Sequence, residues 1–180
     1  MNLRKTTTTT LFVTLIAAVG SRAAPVWAID IGGLAGKVVN GAATGARDKA
    51  VKEVNAKLLA EGRKNQCTFK SDSDELAPGC DAKLKSLTNT LIEMKKRLKV
   101  GGVSNFKFEV SGHTDSTGKP EHNKELSGKR AATIVRELVA RGIPSGEIIS
   151  LGMGSEHPVV TPDDTPAKKA KNRRYEIQVR

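Results

Sequence analysis

Aromatic residues are scarce: one Trp, one Tyr and four Phe among 180 residues. A core built from this chain must therefore be aliphatic. It also lacks the aromatic platforms on which single-strand nucleic-acid binders stack bases. Only two cysteines occur, Cys67 and Cys80, with no clustered His or Cys beside them, which is too few for a zinc site. The close C-x-x-C pair of a redox catalyst is missing. So are a nucleophile elbow, a phosphate-cradling Gly-rich loop and an H-E-x-x-H pair. His113, His122 and His157 allow an acid–base pair on paper. His113 and Asp115, however, point to opposite faces if their segment is extended. No catalytic residue, cofactor or metal is assigned. Acids are also in short supply: 19 Asp and Glu against 30 Lys and Arg leave a formal charge of +11. That charge favours acidic partners such as nucleic acid, anionic lipid or a carboxylate-rich polymer.

What is present begins with an export pattern. Arg4 and Lys5 form a basic start and Leu11 to Gly20 an apolar run, followed by small residues, with cleavage after Ala23 or Ala28. The apolar run is shorter than the roughly 20 residues that span a bilayer. The mature chain is expected to carry no transmembrane span. Cleavage after Ala28 removes Arg4, Lys5 and Arg22 and no acid, so that +11 less three becomes +8.

Residues 29–64 open with a Gly/Ala-rich stretch. Ala50, Val51, Val54 and Leu58 then recur at helical spacing. The expectation is a short amphipathic helix with a loose lead-in, serving as an extension or tether. Packing on the domain, contact with a helix of another envelope protein and a place on a membrane surface are the other options. Cys67 and Cys80, in an exported chain, are expected to form a structural disulfide. It would pin a first strand around Gln66–Lys70 to the next helix. Leu84, Leu87, Leu91, Met94 and Leu98 step by three and four and form one apolar stripe, which Gly101 and Gly102 end.

Phe106, Phe108 and Val110 on one face alternate with Lys107 and Glu109 on the other, which predicts a strand. A polar loop with Thr114 and Asp115 follows, then a helical pattern from Leu126 that buries Ala131, Ile134, Val135 and Leu138, with Arg130 in its first turns. Ile148–Leu151 is a short strand candidate. Ala167–Lys171 is a turn of helix, and Tyr175, Ile177 and Val179 form a last strand. A carboxylate on a strand-end loop facing a guanidinium suits a zwitterion: Asp115 takes an ammonium and Arg130 a carboxylate. Both positions are expected to be exposed.

The run Phe108-Glu109-Val110-Ser111-Gly112-His113-Thr114-Asp115, with Asn123, Leu126-Ser127 and Arg130-Ala131, resembles the OmpA-like C-terminal domain. So do Gly152-Met153-Gly154, Pro158 and Asn172-Arg173-Arg174-Tyr175-Glu176-Ile177. The likeness covers about Gln66 to Arg180. It implies an α+β fold, a βαβαββ sandwich whose mixed sheet is packed by helices, here over residues 65–180 behind a 1–28 signal peptide and the 29–64 extension. It further implies non-covalent binding of peptidoglycan through the diaminopimelate of the stem peptide. The site would be Asp115 and Arg130, with Thr114, Asn123 and Arg173. The location would be the periplasm, with association to the outer membrane or cell wall, and the partner peptidoglycan rather than nucleic acid. One departure stands out: the family usually places Asp after the first-strand Phe, and Phe69 is followed by Lys70. A cell-wall-active hydrolase and a basic nucleic-acid-binding protein are the alternatives.

Overall fold

The computed structural model describes residues 31–180, and side chains from Thr44 onward. The export pattern lies outside the described residues. The order is α1 (Ile31–Lys64), α2 (Asp81–Val100), β1 (Phe108–His113), α3 (Pro120–Ala140), a 3-10 turn (Ser145–Glu147), β2 (Ile148–Gly154), α4 (Pro166–Asn172) and β3 (Tyr175–Val179). The strands form a mixed sheet in the order β2-β1-β3, with β1 parallel to β2 and antiparallel to β3. This agrees with the expected α+β class, with two differences. The Gln66–Lys70 strand is reduced to a single bridge, Phe69 with Leu76, closing a small hairpin rather than joining the sheet. Among the described residues the sheet thus has three strands, not the four that a βαβαββ order implies, and β1–β2 is its one parallel pair.

Register places Phe108, Val110 and Gly112 beside Ile148, Ser150 and Gly152 on one side and Val179, Ile177 and Tyr175 on the other, all on one face of the sheet. That face carries the buried core. The α2 stripe Leu84, Leu87, Leu91, Met94 and Leu98 is buried in the same core, as its spacing predicts. The opposite face carries Glu109, Ser111, Ile149 and Leu151. Glu109 lies on the face opposite Phe108 and Val110, as the alternation predicts, yet it is buried: Gln178 Nε2 on β3 (2.8 Å) and Arg180 Nε just beyond it (3.3 Å) donate to its carboxylate.

The N-terminal region departs most from expectation. α1 is one helix of 34 residues, and its second half is a wall of the domain rather than a tether. Val54 and Leu58 are buried in the core. Asn55 Oδ1 accepts from Val179 N at 2.7 Å. Gln66 then makes two hydrogen bonds with the Tyr175 backbone: its Nε2 donates to Tyr175 O at 2.8 Å, and its Oε1 accepts from Tyr175 N at 3.1 Å. Side chains thus satisfy Val179 N and both backbone groups of Tyr175 on the outer edge of β3, which would otherwise be bare. Asn65 Nδ2 and Gln66 Nε2 also donate to the Glu61 and Gly62 carbonyls, satisfying groups that a helix end leaves open. Cys67 and Cys80 are buried free thiols, with the Cys67 Sγ 3.9 Å from the Cys80 carbonyl oxygen. Burial, and then the neighbouring Cys80 thiol, push the Cys67 thiol up to about 12.

α3 lies unusually close to the sheet. A Cβ on Gly112 would sit 2.2 Å from the Ser127 carbonyl oxygen, and one on Gly152 2.4 Å from that of Lys124. Ser127 is also a tie: its Oγ donates to Lys124 O and accepts from Gly154 N, each at 2.9 Å. The glycines of the GH and GMG motifs therefore let a helix rest directly on two strands.

Candidate functional site

β1 runs out at His113, and the chain turns through Thr114–Lys119 into α3. That helix begins at Pro120, six residues before the apolar pattern suggests, because Pro suits a first helical turn where its missing N–H is no loss. Arg130 consequently sits midway along α3 and not at its N-terminus, so the helix end adds nothing to its pull on an anion. Asn123, in the second turn, is buried. Its Nδ2 donates to Thr117 O (3.0 Å) and Asp115 O (3.5 Å), which fixes the loop around the carboxylate.

Asp115 is 8% exposed, not open to solvent as expected. Its Oδ1 accepts from Thr117 N at 3.0 Å, and its Oδ2 accepts from Arg173 Nη1 at 2.7 Å. Burial alone pushes the Asp115 carboxyl up. The Arg173 guanidinium and the Thr117 N–H outweigh it and hold the group below its usual range. The direct ionic partner of Asp115 is thus Arg173, beyond α4, rather than Arg130. Arg130 donates through Nε to Ser73 O (2.8 Å) and through Nη2 to Lys70 O (3.3 Å), with its guanidinium 5.1 Å over the Phe69 ring. Burial first, and then the charge of Arg173, lower its pKa, so the two guanidiniums sense each other. Lys70 meets the site through its backbone carbonyl, while its ammonium turns to Glu75. The departure at Lys70 thus leaves the Arg130 seat intact.

Thr114, Asp115, Asn123, Arg130 and Arg173 all line one open cleft of about 1010 Å³, together with Phe69, Asp72, Thr117 and Lys169. Thr114 Oγ1 is buried there without a protein partner. His113 also lines it. Burial, and then the charge of Arg174, lower its pKa to about 4, so its imidazole is neutral at neutral pH. Lys169 Nζ donates to Thr117 Oγ1 at 2.9 Å.

A second layer holds the loop to α4, and sequence reasoning missed it. Asp163 accepts from Ser116 N (3.0 Å), from the Ser116 hydroxyl and from Asn172 Nδ2 (3.0 Å). Asn172 Oδ1 in turn accepts from Val159 N and Val160 N. The Ser116 and Asn172 bonds drop the Asp163 carboxyl from its usual 3.8 to about 2. The local signal was Thr165-Pro166, an N-cap followed by Pro, which starts α4 and carries Arg173 to the cleft at its far end. Among the described residues no group of three or more His, Cys, Asp or Glu is disposed to hold a metal. No helix among them is long and apolar enough to cross a membrane.

Comparison with known proteins adds the family. The sequence is 43% identical over 79 residues to outer membrane protein A of Klebsiella pneumoniae, covering 39% of this chain and 23% of that protein. It is 43% identical over 70 residues to the peptidoglycan-binding protein ArfA of Mycobacterium bovis, covering 39% and 21%. Against the probable lipoprotein YiaD of Escherichia coli it is 34% identical over 113 residues, covering 63% and 47%. The chain therefore spans less than half the length of these curated relatives. In fold it is similar to the peptidoglycan-associated lipoprotein of Burkholderia pseudomallei, with a TM-score of 0.53 and 24% identity over 64% of this chain and 89% of that one. A MotB-like protein of Desulfovibrio vulgaris gives 0.54 and 20% over 78% and 94%. Residues 68–173, more than half of the sequence, match the OmpA family as a whole, and the chain belongs to that family.

Proposed function

We propose that this protein is a non-catalytic peptidoglycan-binding module of the cell envelope. In this reading it grips the diaminopimelate of the stem peptide and so anchors or stabilises the envelope. The observation that carries the proposal is the open cleft in which the Asp115 carboxylate lies with the Arg130 and Arg173 guanidiniums. Such a set is complementary to an amino-acid head bearing both charges, and charge-assisted bonds are the strong ones. Asp115 receives the ammonium and Arg130 the carboxylate. Thr114 borders them, and Asn123 acts by holding the loop, since its amide nitrogen is already committed there. The export pattern supports an envelope location, and the name of the similar ArfA protein supports the ligand class.

Sacculus pull-down tests the proposal. Because Asp115 is buried and holds Thr117 N, Asp115→Asn is a cleaner substitution than Asp115→Ala. Removing one partner of a buried charged hydrogen-bond pair costs about 2–5 kcal/mol, enough to lose retention on sacculi for Asp115→Asn and for Arg130→Ala. Full retention by both variants refutes the pocket. Release of muropeptides from the same sacculi would return the hydrolase reading in its place.

A further inference from the structure

Arg173 already occupies the atom that an incoming ammonium needs. Asp115 has two carboxylate oxygens: Oδ1 holds the Thr117 N–H, and Oδ2 holds Arg173 Nη1 at 2.7 Å. The Arg173 side chain is 45% exposed while that of Asp115 is 11%. The guanidinium can therefore swing outward without disturbing the core, whereas the carboxylate cannot follow it.

We propose that Arg173 is a specificity-determining plug, an internal cation that a ligand must displace from Asp115 and then neutralise. The inference rests on the function proposed above and goes on to say which ligands the site refuses. A ligand bringing only an ammonium exchanges one cation on Asp115 for another. It leaves Arg173 unpaired in a cleft that also holds Arg130 and Lys169. A ligand bringing only a carboxylate meets an Arg173 that is already satisfied. A head with both charges does two things at once: its ammonium replaces Arg173 on Asp115, and its carboxylate lies between the freed guanidinium and Arg130. Discrimination thus comes from a built-in competitor as well as from attraction.

Calorimetric titration with three probes tests this. The first is meso-diaminopimelate blocked at one end, leaving one free amino-acid head. The second has the carboxylate of that head amidated, and the third has its amine acetylated. The wild-type chain is expected to prefer the first over the second by about ten- to a hundredfold, the range of a charge-assisted hydrogen bond. In Arg173→Ala the amidated probe should bind more tightly than to wild type, and the free head less tightly, so that the ratio shrinks by about tenfold. Arg173→Lys, which keeps a cation at the position, should restore part of the ratio. A ligand-free readout separates this role from a merely structural one: the carboxyl-carbon titration of Asp115 should move upward in Arg173→Ala, since Thr117 alone then opposes the effect of burial. A ratio unchanged within about twofold in Arg173→Ala overturns the plug while leaving the function standing. No binding of the free head by wild type overturns both.

Discussion

The seating of α3 on the sheet makes a prediction with a sign and a size. Gly112 lies in β1 with ordinary backbone angles, so Gly112→Ala introduces no conformational strain of its own. The added methyl meets Ser127 O at 2.2 Å, Ser127 C at 3.0 Å and Ser127 Cα at 3.4 Å, all of them helix backbone. No side chain can rotate away, so α3 must lift by about 1 Å, which is overpacking of the kind that costs roughly 1–3 kcal/mol or more. Because the contact is backbone on backbone, the upper end is expected. For a chain of this size about 3 kcal/mol lowers Tm by roughly 6–12 °C. Gly62→Ala is the matched control. It lies in α1 with nothing within 4 Å of its added Cβ. Replacing this Gly of the last helical turn by Ala should leave stability unchanged or raise it by up to about 0.5 kcal/mol. Thermal melts by circular dichroism, paired with urea titrations at constant slope, read both. A Gly112→Ala loss below about 0.5 kcal/mol, the size of an ordinary surface change, would refute the close-seating argument. The lifted helix carries Asn123 and Arg130, so sacculus binding should fall further than the melt alone explains.

The remaining predictions are compact. Leu58→Ala should cost about 2–5 kcal/mol in urea titration, because α1 is a wall of the core, whereas a tether residue would change little. Two windows of acid destabilisation are expected in Tm against pH. Between the usual 6.5 and about 4 the unfolded chain protonates His113 before the folded one does, so stability declines as pH falls through that range. Asp163, held near 2, contributes stability that is complete above 3.8 and lost as pH drops toward 2, and Asp163→Asn should flatten that second window. Cys67, with its thiol pushed up to about 12, should resist alkylation at neutral pH until the chain unfolds. Refolding with a disulfide couple should remove both free thiols and, for a loop this short, add about 3 kcal/mol; two thiols still titratable after oxidative refolding would count against the bridge.

Much of this fold is written in local periods. The α2 stripe and the alternation in β3 need only neighbours in the chain, and they stand where the spacing puts them. Asp115 and Arg130 likewise reach one cleft, as the motif resemblance implies. Which cation pairs with Asp115 was not legible, because Arg173 arrives from 58 positions away along a path set by α4 and the Asp163–Asn172 clamp. The burial of Glu109 depends on partners contributed by β3, and no pattern within β1 encodes them. α1 was underrated because its glycines weaken intrinsic helix propensity, while its purchase on Val179 and Tyr175 is a tertiary gain that composition does not display.

That purchase has a practical bearing on how the protein is dissected. The segment matching the family begins at residue 68, yet Val54, Asn55, Leu58 and Gln66 all precede it. A fragment excised at that boundary would keep Thr114, Asp115, Asn123, Arg130 and Arg173 but lose the groups that cover the rim of the terminal strand, together with the stretch of α1 that closes one side of the cleft. Its β3 would then present a row of unclaimed amides to any neighbour, the ordinary starting point for strand-to-strand association. Clumping of such a fragment would say nothing about ligand recognition; retaining the second half of α1 is what keeps the molecules apart.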